Sequence, residues 1–134
     1  MESVIAARDT RPAKASAILL LEADPLMRGL LREWLAGAGH TVSEAGPRDG
    51  VPAEAIGLVI VDLYMPREAG ARIIRAVQRS HPGTPVIAIS GQFRPGLAAT
   101  SPVARALGAA RILAKPFSRE DLLLAVQAII GPPT

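Results

Sequence analysis

Four groups that could do chemistry together stand just past four short apolar runs. Glu22-Ala23-Asp24 follows residues 17–21, Asp62 follows 58–61, Ser90 follows 85–89 and Lys115 follows 111–114. Carboxylates, a hydroxyl and an ammonium converging on one edge suit phosphoryl chemistry on a carboxylate. Asp62 has the nucleophile for attack on phosphorus. A magnesium ion held by oxygen ligands would offset the charge of the phosphoryl group. Lys115 would neutralise one phosphoryl oxygen and the Ser90 hydroxyl would bond another. Lys115 is one of only two lysines in a chain of 13 arginines, which points to a site that needs a compact ammonium.

These groups meet only if the apolar runs are strands of one sheet. Residues 17–21 are continuously apolar, as in a strand buried on both faces. Asp24-Pro25 then supplies an N-cap and a proline for the first helical position. Met27, Leu30, Leu31, Trp34 and Leu35 follow at helical spacing, with Trp34 read as a core residue, and Gly37 and Gly39 end the helix. Residues 41–45 make a second strand. Pro47, Gly50 and Pro52 leave the segment 47–55 room for one or two helical turns. Residues 58–61 make the third strand and 63–70 a loop. Ile73, Ile74 and Val77 mark a helix that stops before His81-Pro82-Gly83. After the fourth strand, 85–89, a long loop over 91–102 leads to a helix over 103–107. The fifth strand is 111–114. Ser118 and Asp121 form a capping box for the last helix, whose inner face carries Leu122, Val126, Ile129 and Ile130, and Gly131-Pro132-Pro133 stops it.

Five strands alternating with five helical segments predict an α/β fold, a doubly wound five-stranded parallel sheet with helices on both faces. Ligands of such sheets bind outside the carboxyl ends of the strands, where the four groups stand. The expected organisation is a flexible leader over 1–15, one domain over 16–131 and a short tail over 132–134. The chain has 134 residues, enough for one domain that needs no disulfide or structural metal. It has no cysteine, which excludes disulfide scaffolds, zinc-thiolate sites and cysteine catalysis. The net charge is +3, the basic residues form no continuous run, and only four residues are aromatic, so direct nucleic-acid binding is not expected. No stretch is long and apolar enough for a membrane span or a secretory signal, and a cytoplasmic location is expected. His40 and His81 fall in turns without a ligand set and read as solvated.

The stretches Ile18-Leu19-Leu20-Leu21-Glu22-Ala23-Asp24-Pro25, Val59-Ile60-Val61-Asp62-Leu63-Tyr64-Met65-Pro66, Val86-Ile87-Ala88-Ile89-Ser90-Gly91 and Ala114-Lys115-Pro116-Phe117 resemble those of a response-regulator receiver domain of bacterial two-component signalling. Their order and spacing cover about residues 17–130. The resemblance implies the flavodoxin-like fold of the chemotaxis response regulator and an aspartyl phosphate on Asp62. The phosphoryl donor would be a sensor histidine kinase or a phosphotransfer protein. Magnesium would sit on Glu22, Asp62 and the backbone carbonyl of Tyr64, with Asp24 a further candidate beside its role as helix cap. Gly91 would leave space beside the phosphate, and the Lys115-Pro116 bond would be cis. Phosphorylation would shift a two-state equilibrium and expose a docking face made by the helix near 103–107, the fifth strand and the last helix. The output would pass to a protein target, and that face also serves receivers that pair as homodimers. At most, such a module phosphorylates itself from a small donor and hydrolyses its own aspartyl phosphate; it is not otherwise an enzyme.

Four departures stand out. Ala23 occupies the place of the second acid of the usual pair, the one that touches the metal directly, so magnesium binding is expected to be weakened. Ile112 stands where the family has an inward-turning aromatic ring. The segment 47–55 is broken by proline, and the 91–102 loop is slightly long. Two readings therefore stay open: a phosphorylated receiver, and a degenerate, phosphorylation-independent receiver that acts as a protein-interaction module. A flavin or nucleotide enzyme on the same fold would want a glycine-rich loop or Walker loop after the first strand, and neither is present.

Overall fold

The computed structural model describes residues 17–44, 55–64, 68–94 and 96–131. In chain order the elements are β1 (Ala17–Leu21), α1 (Pro25–Gly37), β2 (Thr41–Ser43), β3 (Ile56–Asp62), α2 (Glu68–Ser80), β4 (Val86–Ser90), α3 (Pro102–Leu107), β5 (Arg111–Ala114) and α4 (Arg119–Ile130). The expected leader, the helical turns over 47–55 and the tail fall almost wholly outside the described residues.

The strands pair in the order β2-β1-β3-β4-β5, all parallel. The strand order reverses between β1 and β3, the place where open α/β sheets hold their ligands. The strands read as unbroken apolar runs because both faces are covered, and side chains along each strand alternate between two cores. Leu19, Val59, Val61 and Ala88 pack against Ile74 of α2 and Ala104 and Leu107 of α3. Ile18, Leu20, Ile60 and Ile87 pack against Leu31 and Leu35 of α1 and Leu122 and Val126 of α4. Each fully buried Leu or Ile stabilises the fold by about 1.5–3 kcal/mol.

The helix ends follow the local sequence. Asp24 caps α1 by accepting from the Leu26 N–H at 3.1 Å, with Pro25 at the first position. Ser118 and Asp121 form the capping box of α4, with both hydrogen bonds present at 3.0 and 3.1 Å. Gly108 ends α3 in the left-handed region at φ 84°, which a side chain would strain.

Two expectations need refinement. His40 is not solvated: it is 5% exposed, and its Nδ1 has no hydrogen-bond partner among the described residues. The turn after α1 bends back far enough for the His40 N–H to donate to the Leu35 carbonyl, which tucks the ring under the helix end. Burial holds its pKa below the ordinary histidine value. The long loop after β4 is also not simply open. The Ile112 N–H donates to the Ala99 carbonyl at 3.0 Å, so the loop covers part of the free edge of β5.

Candidate functional site

Strand register builds the site. Leu21 pairs with Val61, so Glu22 and Asp62 leave the sheet side by side. Asp62 pairs with Ile89, and Ser90 pairs with Ala114, which brings Lys115 to the same edge. The Lys115 N–H donates to the Ser90 carbonyl, and the Lys115-Pro116 bond is cis. Two strand spacings separate β5 from β3, about 9–10 Å. Only a long side chain spans that distance, and the small Ser90 on β4 leaves the path clear.

The Lys115 ammonium lies 2.8 Å from Asp62 Oδ1 and 3.5 Å from Glu22 Oε1. Burial alone would lower its pKa. The hydrogen bond and charge of Asp62, joined by the charge of Glu22, outweigh burial and hold the pKa above the ordinary lysine value. The Glu22 side chain is 2% exposed, whereas Asp62 is 20% exposed and open to an incoming group. Glu22 Oε2 accepts from the Asp24 N–H at 3.1 Å, while Oε1 has the ammonium nearby but no directed hydrogen bond. Burying a carboxylate is costly, and these contacts offset the cost.

The other sequence candidates divide. Ser90 is fully buried beneath this edge, and its hydroxyl oxygen accepts from the Gln92 N–H at 3.0 Å. That bond leaves the hydroxyl hydrogen free to donate elsewhere. Asp24 is exposed; its side chain caps α1 by accepting from the Leu26 N–H, and its own N–H donates to Glu22 Oε2. Tyr64 is 81% exposed at the rim. Gly91 is exposed in the turn after β4. Ile112 is 2% exposed and inward already, beside a cavity of about 340 Å³ between the 96–99 loop and the start of α4. Trp34 packs on the α1 and α4 core, edge to face with Phe117 at 6.5 Å.

Sequence reasoning did not single out Arg28. Its Nη1 donates to the Glu22 carbonyl at 3.0 Å, and its Nε lies 3.6 Å from Glu44 Oε1. Arg32 adds a 2.8 Å pair with Glu44. The two arginines tie the ends of β1 and β2 to α1. A cation one turn into a helix is common, and nothing in the one-dimensional pattern marks this one.

The residues fit a hard dication in part. Glu22 Oε1, a buried oxygen without a hydrogen-bond donor, and the Asp62 carboxylate are the right donors for magnesium, which commonly uses one or two carboxylates and keeps several waters. No cluster of three or more acids, histidines or cysteines is present among the described residues. Among the same residues, no helix is long and apolar enough to cross a membrane.

Comparisons with known proteins agree with this geometry. The family described as response regulator receiver domain matches residues 18–127. The transcriptional regulatory protein CpxR of Escherichia coli K12 is 31% identical over 118 residues, 84% of this chain and 48% of that protein. The chain thus spans about half the length of that curated relative. The solution structure of a response regulator from Burkholderia multivorans aligns with a TM-score of 0.59 at 28% identity, covering 90% of this chain and 98% of that one. A response regulator from Burkholderia pseudomallei, solved with a phosphorylated aspartic acid, calcium and citrate, aligns with a TM-score of 0.61 at 25% identity, covering 84% of this chain and 66% of that one.

Proposed function

The chain belongs to the receiver-domain family of two-component response regulators, and on that premise we propose that Asp62 accepts a phosphoryl group from a histidine kinase or phosphotransfer protein. The observation that carries this reading is the 2.8 Å contact between the Lys115 ammonium and the most accessible carboxylate of the pair. A receiver is a signalling module rather than a typical enzyme, and the chemistry here is a single transfer.

In that transfer an Asp62 oxygen attacks phosphorus, the phosphorus–nitrogen bond of the phosphohistidine breaks, and the electron pair leaves with the imidazole. Lys115 remains ion-paired and meets the charge spread over the phosphoryl oxygens. The free hydroxyl hydrogen of Ser90 donates to one of those oxygens. Glu22 holds the ammonium from the far side. Receiver domains generally bind magnesium in this acidic pocket, and here Glu22, Asp62 and the Tyr64 carbonyl would hold it. Bound there, it would supply charge neutralisation for the phosphoryl oxygens. Ala23 leaves that set one carboxylate short, so binding is weaker than in a receiver with both acids. The signal would pass to a protein target in the cytoplasm, with self-pairing of receivers a second outcome.

The second reading, a phosphorylation-independent interaction module, draws on Ala23 and on Ile112, which is already buried and has no ring to swing. Intact-mass analysis after incubation with acetyl phosphate, with and without magnesium, separates the two. The proposal expects a gain of one phosphoryl group in the wild type and none in Asp62→Asn. No gain under any condition supports the interaction module.

A further inference from the structure

Charge is distributed unevenly along the chain. Residues 69–119 hold seven arginines and Lys115 but no Asp or Glu. Lys115 is consumed by the site, but the arginines on α2 and α3 are not. Arg72, Arg75 and Arg79 lie at i, i+3 and i+7 on α2, so they form one row about 10 Å long. All three are exposed. Arg105 is exposed on α3, one turn before Gly108. The Gln78 side-chain amide donates to the Gly108 carbonyl at 3.0 Å and locks the two helices together. Arg75 stands about one turn before Gln78, and Arg105 one turn before Gly108. None of the four has an acidic partner among the described residues.

Helix dipoles account for part of this, since Arg79 and Arg105 fall in the last turns of their helices. They do not account for the row along α2, where the one carboxylate, Glu68, stands at the helix start. Ordinary soluble surfaces intersperse both signs, and a single-sign field is a means of attracting an opposite charge. We propose that the α2–α3 surface, centred on Arg75, Arg79 and Arg105, docks an acidic amphipathic segment of a partner protein. The cations are arginines, whose planar forks pair with carboxylates two bonds at a time. Exposed apolar side chains, Ile73 and Val103, stand on the same two helices. No aromatic residue stands on either helix to stack a base, which favours a protein over a single-stranded nucleic acid.

The test is fluorescence anisotropy with a labelled 16-residue helical peptide of Glu and Leu in amphipathic spacing, set beside a labelled DNA duplex. The expected result is peptide binding that weakens with salt and falls about tenfold or more in the Arg75→Glu/Arg79→Glu/Arg105→Glu variant. The corresponding triple Gln variant, which keeps the side chains polar, guards against misfolding and should give an intermediate loss. Equal binding by wild type and both variants would overturn the proposal. So would preference for the DNA duplex, or self-association through these arginines with no peptide binding.

Discussion

Two regions of the molecule treat charge in opposite ways. At the carboxyl ends of β1, β3 and β5, Lys115 bridges Asp62 and Glu22, and Arg28 and Arg32 close on Glu44. On α2 and α3, four exposed arginines face solvent without an acidic partner among the described residues. The first arrangement fixes positions: partnered, half-buried charges have a single geometry and hold a nucleophile ready. The second fixes little, and acts at a distance through its field. A receiver needs the first for chemistry, whereas recognition of a partner can use the second.

Breaking the partnered region should have the largest effect. Lys115→Met strands the buried Glu22 carboxylate and should cost about 3 kcal/mol of stability, read by urea unfolding at neutral pH. Adding Glu22→Gln should restore part of it, because the most deeply buried charge is then removed while Asp62 still lacks its 2.8 Å partner. A loss confined to the rim scale of about 0.5 kcal/mol would show that the bridge contributes little.

Filling the gap left by Ala23 sharpens the comparison from the other direction. Ala23→Asp should tighten magnesium binding about tenfold or more, measured by calorimetry, because it returns a carboxylate to a hard-cation site. Unchanged affinity would mean that Glu22 already compensates.

Titration distinguishes the buried and exposed groups by direction. Because burial depresses the His40 pKa, the unfolded chain takes up a proton that the native fold resists. Stability should therefore fall as pH drops below the ordinary histidine value near 6.5, and His40→Gln should flatten that slope in thermal melts. Lys115 runs the other way. Its pKa is raised, so its contribution is complete below the ordinary lysine value and is lost as pH climbs through the folded value. The smallest effect belongs to the unpartnered region. Arg79→Gln should change stability by less than about 0.5 kcal/mol in urea unfolding, as expected for a solvated side chain.

Much of this was legible from residue order. Continuous apolar strands, each followed by a chemically distinct residue, specify a parallel sheet and one functional edge, because register carries Glu22, Asp62, Ser90 and Lys115 there together. The capping box at Ser118 and the Asp24-Pro25 start were equally plain, since both are local. What escaped depends on chain reversal. His40 looks like a turn residue until the turn folds it beneath α1. Arg28 looks like a helix surface charge until β1 and β2 end on either side of it. The bond from Ile112 to Ala99 joins a strand edge to a loop whose path no periodicity encodes.

The central claim is that the bridged carboxylate at the end of β3 receives the phosphoryl group. Its most direct test is reductive trapping: incubation with acetyl phosphate and magnesium, borohydride reduction, and peptide mapping by mass spectrometry. An aspartyl phosphate reduces to homoserine, and the account predicts that product at residue 62 alone. Homoserine at Asp24, or at no aspartate, would contradict it.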